Sequence, residues 1–120
     1  MNATIISRQN VSSAVLDAMA TGLPAIVAAV LEVPGGSLAR VKPSQISLEF
    51  RQASQRDVGA DIRIMVYAKR NDPRVSTENE RAKAILEKTV TLINTNGEDY
   101  SLDIRLYLME IGAAEYTLIS

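Results

Sequence analysis

The sequence predicts a single α+β domain in which two βαβ units share one sheet and place both helices on one of its faces. Three observations carry that expectation. Apolar and polar residues alternate over Ile46–Arg51, Ile62–Lys69 and Leu102–Met109, the period of a half-buried strand. Two longer stretches, 11–30 and 77–93, repeat their apolar positions every three to four residues, the period of a helix with one buried stripe. The length of 120 residues suits one domain, residues 1–120, with enough buried surface for a core that needs no covalent staple.

In chain order, Thr4-Ile5-Ile6 is a short β-rich run that reads as a first strand, with residues 1–9 as a mere extension left open. Asn10 and Ser12 offer N-cap oxygens to the helix that follows. Its inward stripe is Val11, Val15, Ala18 or Met19, Ile26 or Val27, and Val30. Gly22 and Pro24 interrupt it. Either one helix bends there, or a second starts with Pro24 in its first turn, where a missing N–H costs nothing. Pro34-Gly35-Gly36 ends the segment.

Ile46, Leu48 and Phe50 then share one strand face, as do Ile62, Ile64, Val66 and Ala68 after the Arg56-Asp57-Val58-Gly59 turn. The second helix is expected over 76–94, capped by Ser76 or Thr77, with Thr77 and Glu80 spaced as a capping box. Ala82, Ile85, Leu86, Thr89 and Leu92 or Ile93 point inward, and Asn96-Gly97 stops the helix. Leu102–Met109 is the next strand, and 114–119 adds a short terminal one. The resulting order, β–α–β then β–α–β, consists of two crossovers that must each be right-handed.

Two absences restrict the chemistry. The chain has no cysteine and no histidine, which removes disulfides, thiolate nucleophiles, imidazole acid–base catalysis and most transition-metal sites. No metal and no cofactor are expected. Proton transfer is left to carboxylates, lysine, arginine, tyrosine, hydroxyls or the terminal amine. A formal charge of −1 gives no general attraction to phosphate backbones, so no nucleic-acid partner is expected. The start has no basic-then-apolar leader pattern, and the apolar run Leu23–Leu31 is too short to span a bilayer. A soluble, cytoplasmic protein without a membrane partner is the expectation.

Opposite the aliphatic rows, the strands present Ser47, Glu49, Arg51, Arg63, Met65, Tyr67, Asp103, Arg105, Tyr107 and Met109. Such a face is either solvated or covered by another subunit, and Tyr, Met and Arg among charges are residues a wet interface uses. The stretch Arg63, Lys69, Arg70 and Arg74 lacks interleaved surface aromatics and reads as a solvated strand end. Glu98-Asp99 lacks a full ligand set for a metal loop. Val33-Pro-Gly-Gly36 has no following Lys-Ser or Lys-Thr and is not a phosphate loop.

This layout, with Lys42-Pro-Ser-Gln-Ile46 leading into the second strand, Tyr67 near a strand end, the 76–94 helix and the 113–120 tail, resembles the tautomerase superfamily. The similarity is to macrophage migration inhibitory factor-like and 5-carboxymethyl-2-hydroxymuconate isomerase-like proteins. A ferredoxin-like fold, a regulatory or ligand-binding module, shares the element order and is the structural rival. The resemblance implies a homotrimer, self-association being the expected partnership, with pockets between subunits that take a small carboxylate ligand. Keto–enol proton transfer on a small 2-oxo acid is the implied activity.

The family's diagnostic amino-terminal proline is absent, and Asn2 stands in its place. A primary amine at Met1, Asn2 itself or Asp103 are the remaining candidates for proton transfer. The resemblance assigns ligand contacts to Arg8, Lys42, Tyr67, Arg105 and Tyr116. A non-catalytic protein that keeps the assembly is the alternative.

Overall fold

The alternating and helical patterns become four strands and three helices among the described residues of the computed structural model, which are 1–33, 41–94, 97 and 99–118. β1 spans Asn2–Ser7, α1 Ser13–Leu31, β2 Ser47–Gln52, β3 Ile62–Lys69, α2 Asp72–Ser76, α3 Glu78–Asn94 and β4 Leu102–Met109. A 3-10 turn at Pro43–Gln45 leads into β2. The Val33–Gly36 loop beyond Val33, Asn96 and Glu98 lie outside the described residues.

The strands stand in the order β2-β1-β3-β4. β1 is parallel to β2 and antiparallel to β3, and β3 is parallel to β4. Each half is therefore a βαβ unit whose two strands are direct neighbours, with β1 and β3 side by side at the centre. The ferredoxin-like rival splits its βαβ units with an intervening strand, so this topology sets it aside.

One sheet face is buried beneath the helices. Ala3 and Ile5 of β1 and Ile62, Ile64, Val66 and Ala68 of β3 meet Val15, Met19, Leu23, Val27 and Leu31 of α1 and Ile85 and Ile93 of α3. Each of the larger side chains contributes roughly 1.5–3 kcal/mol by leaving water. Of the alternatives open in the first helix, Met19 and Val27 are the buried members, and Leu23 and Leu31 join them.

α1 is one continuous helix through Gly22 and Pro24. Ser12 caps it, its Oγ accepting from the Val15 amide at 3.3 Å. The hydrogen bond lost at Pro24 is outweighed by the burial of Leu23 and Val27 on the same turn. At Gly22 a Cβ would stand 2.7 Å from Leu92 Cδ2, so the glycine lets α3 approach α1 closely. At 19 residues and mean hydropathy 1.9, α1 is long and apolar enough to cross a membrane by length and composition. Its buried stripe instead packs on the sheet, as a core helix does.

Two arginines close the C-terminal end of α1. Arg74 Nε donates to the Leu31 carbonyl at 3.0 Å and its Nη1 to the Lys69 carbonyl at 2.9 Å. Arg81 Nη1 donates to the Val30 carbonyl and, at 3.1 Å, to that of Glu32. The Val30, Leu31 and Glu32 carbonyls are ones that a helix end leaves unpaired, at its partially negative pole. The reading of Arg74 as a solvated strand end is thereby corrected, since it is only 3% exposed.

Four further expectations change. The helix expected over 76–94 is preceded by the short α2, capped by Asn71, whose Oδ1 accepts from the Arg74 amide at 2.9 Å. The Thr77 hydroxyl donates to the Pro73 carbonyl at 2.6 Å and accepts from Arg81 Nε at 2.7 Å, so its oxygen is committed elsewhere than to a capping box. Phe50, placed on the buried row, is 39% exposed, because the helices leave the outer edge of β2 uncovered. Residues 110–118 form no strand and are exposed throughout; β4 ends the sheet, and the tail pairs with no strand among the described residues.

Candidate functional site

The uncovered sheet face carries three cross-strand rows. The register aligns Ser47, Asn2, Tyr67 and Tyr107; then Glu49, Thr4, Met65 and Arg105; then Arg51, Ile6, Arg63 and Asp103. Neighbouring positions in one row lie about 5 Å apart, within reach of one another's side chains. In the first row Tyr67 stacks on Tyr107, with centroids 5.1 Å apart, and the Tyr67 hydroxyl reaches Met65 Sδ at 3.7 Å. Charges are paired along the strands: Arg51 with Glu49 on β2, and Arg105 Nε with Asp103 Oδ1 at 2.9 Å on β4. The hydrogen bond and charge of Asp103 hold the exposed Arg105 guanidinium above its ordinary value.

The expected site residues fall in four places. Met1, Asn2, Lys42 and Tyr67 gather at the edge where β1 begins. There the Met1 amine donates to the Gln45 carbonyl at 3.3 Å and the Met1 carbonyl accepts from Ser47 at 3.0 Å. The Lys42 amide donates to Gln45 Oε1 at 2.8 Å, leaving its ammonium on the surface. Asn2 is exposed on the open face opposite Tyr67.

Asp103 and Arg105 lie along β4, where they line a cleft of about 460 Å³ with Glu78, Asn79 and Tyr107. Arg8 sits past the other end of β1, about 23 Å from Met1 at ~3.3 Å per residue. It lines a polar cavity of about 300 Å³ with Gln9, Asn10, Ser54, Gln55 and Asp61, and its Nη1 donates to the Asp57 carbonyl at 2.8 Å. Tyr116 is 89% exposed in the tail. Within one chain these groups stand apart, with Arg8 in one cavity and Asp103 and Arg105 in another.

Sequence reasoning missed the clamp beside Arg8. Asp61 Oδ2 accepts from the Ser101 amide at 3.0 Å and the Ser101 hydroxyl at 3.2 Å, and its Oδ1 accepts from Asn10 Nδ2 at 3.3 Å. The Ser101 amide bond, followed by the side-chain bonds and the charge of Arg8, holds the Asp61 carboxyl below its ordinary range against the opposing effect of burial. Its only sequence signal was a polar residue just ahead of each strand. Tyr107 was legible as a face residue, but its stacking partner depends on strand register.

No family model matches the chain, and no curated protein is similar enough in sequence to be matched. Solved structures are similar in fold. A fused 4-OT described as a symmetric trimer superposes with a TM-score of 0.67 at 12% identity, over 95% of this chain and 92% of the other. Pt0534, inactivated by 2-oxo-3-pentynoate, gives 0.66 at 13% identity over 95% and 92%. Macrophage migration inhibitory factor of Toxoplasma gondii gives 0.56 at 15% identity over 92% and 90%. All are tautomerase superfamily proteins, and the fold of this chain is the tautomerase fold. At these identities the likeness concerns architecture, and a shared activity does not follow from it.

Proposed function

We propose that the chain is a tautomerase-like homotrimer whose small-molecule pockets lie between subunits and take a small 2-oxo acid, with keto–enol proton transfer in altered form. One observation carries the reading: the candidate ligand groups stand at opposite ends of β1, with Met1 and Lys42 at one and Arg8 at the other. An adjoining subunit is what would bring such groups around one ligand. The uncovered face supplies the Tyr, Met and Arg rows that an interface of this kind uses. Arg8, Lys42 and Arg105 are the groups for carboxylate and enolate charge, and the Met1 amine or Asp103 for the proton.

Asn2 favours a second reading, a non-catalytic binding assembly, because an amide side chain is not a base at neutral pH. Light scattering on untagged protein tests the assembly, with three chains expected and a single chain overturning it. Deuterium incorporation at C3 of 2-oxobutanoate, followed by NMR, separates the readings. Enzyme-dependent exchange supports proton transfer, whereas saturable binding without exchange supports the binding assembly. Arg105→Ala should abolish ligand effects and leave the mass unchanged.

A further inference from the structure

The outer surface of the helix layer is apolar over a length that the fold itself does not cover. α1 carries one charged residue, Asp17, and only 33% of its apolar length is buried. Ala25 and Ala29 are exposed, and Ile26, Val30 and Ala84 are half-buried. Two adjoining cavities of about 500 and 350 Å³ run between α1 and α3. Gly22, Ile26 and Leu92 border one, Ala29, Val30 and Ala84 the other, and Lys88 borders both. This groove lies on the side of the molecule away from the open sheet face.

The charges beside the groove are self-complementary. On α3, Glu80, Ala84 and Lys88 follow one another at four-residue intervals and form one ridge. Among the described residues neither Glu80 nor Lys88 has a salt-bridge partner, whereas Lys83 and Glu87 pair with each other at 3.9 Å. Reversing the ridge about Ala84 exchanges the acid for the base. We infer that this face docks on the same face of a second copy, about a two-fold axis at Ala84, with Glu80 of each chain against the partner's Lys88.

Ridges of four-residue spacing lie parallel and interdigitate when two helices cross at about −50°, the commonest class of helix packing. Alanine at the crossing point lets the two copies of α3 approach closely. Ala29, which borders the same cavity as Ala84, does the same for α1, and Ile26 and Val30 leave water between the layers. A parallel arrangement would set Glu80 on Glu80 and Lys88 on Lys88, so the charges select the antiparallel one. A lipid surface is the poorer occupant, because an interfacial helix brings Lys and Arg along its polar face, and α1 has neither. A two-fold contact of this kind joins two copies and is then used up. It uses the face opposite the open sheet and does not depend on the trimer proposed above.

The chain has no cysteine, so Ala84→Cys introduces a single thiol at the axis. Helices about 8–10 Å apart hold facing Cα atoms roughly 4–6 Å apart, within disulfide reach. Ala84→Cys protein should form a covalent dimer under mild oxidation. Thr91→Cys, on the same face but about 20 Å from its symmetry mate, should not. In sedimentation equilibrium, Glu80→Lys and Lys88→Glu should each weaken the association about tenfold, and the two together should restore it to within about threefold. A misfolded chain is not repaired by a second charge change, so the rescue reports the pairing. Thiols at 84 that stay reduced, cross-linking at 91 instead, or a double variant that is not rescued overturns the contact. Co-sedimentation of the wild type with phosphatidylcholine vesicles gives the face to lipid and also overturns it. A protein of three chains whose thiols at 84 stay reduced loses this contact and keeps the trimer, whereas a covalent dimer through 84 in a protein that never forms three chains does the reverse.

Discussion

Tyr67 stacks on Tyr107 across β3 and β4, with ring planes 14° from parallel and centroids 5.1 Å apart. The two occupy one cross-strand position in the parallel register, on a face that no helix covers. Offset stacking of this kind contributes about 0.5–1.5 kcal/mol beyond the area it buries. A double-mutant cycle with Tyr67→Leu and Tyr107→Leu, read by urea unfolding, should return a coupling in that range. Strictly additive losses would show that the rings are merely adjacent.

Arg74 is the buried cation among the described residues, and its role is to satisfy carbonyls. Desolvation first, and the nearby charge of Arg81 second, push its guanidinium below its ordinary value. Its two bonds join the end of α1 to the end of β3. Arg74→Met fills similar volume but strands the Leu31 and Lys69 carbonyls, at about 1–3 kcal/mol for each buried unsatisfied group. A loss of roughly 2–4 kcal/mol is expected in denaturant unfolding. Arg74→Lys should recover only part of it, since an ammonium lacks the planar fork that reaches both carbonyls. Full recovery by lysine would assign the effect to charge alone.

The distinction between what the residues announced and what they withheld follows from range. Strict alternation in Ile62–Lys69 and Leu102–Met109 identified β3 and β4 and both of their faces, because a strand's pattern is written in its own side chains. The βαβ order followed from those elements. Arg74 was misread because nothing local distinguishes a solvated arginine from one that reaches carbonyls at Leu31 and Lys69. The capping box at Thr77 failed for a similar reason: Asn71 caps an earlier turn, and Arg81 claims the Thr77 oxygen. The tail pattern was real as a pattern, but alternation alone does not pair a strand, and residues 110–118 take no place in the sheet. The candidate ligand residues were legible as types, while their separation along β1 became visible only with the sheet order.

Asp61 makes the acid limb of stability specific. Its carboxylate holds the starts of β3 and β4 and Asn10 together, and its folded value lies below the ordinary 3.8. A depressed value means that the stabilisation is fully present above the unfolded value and is lost as pH falls through the folded one. Wild type should therefore lose stability between about pH 5 and pH 2, and Asp61→Asn should flatten that part of the profile while lowering stability at pH 7. Melting temperatures of both proteins across this window provide the check. Parallel profiles would remove Asp61 from the acid response.

Thr89 lies on the inward stripe of α3, with no exposure, and its Oγ1 has no hydrogen-bond partner among the described residues. A hydroxyl buried without a partner costs about 1–3 kcal/mol. Valine has nearly the same shape and no polar atom, and it is no better than threonine as an intrinsic helix former. Any gain from the substitution must then come from removing the desolvated oxygen, since neither packing volume nor propensity changes much. Thr89→Val should stabilise the protein by about 1 kcal/mol, a rise of roughly 3–6 °C in melting temperature for a domain of this size. Thr89→Ser separates the two contributions, because it keeps the hydroxyl and deletes the buried methyl, and it should destabilise by about 1 kcal/mol or more. A neutral or destabilising valine would mean that the hydroxyl finds a partner in solution, such as the carbonyl one turn earlier in α3.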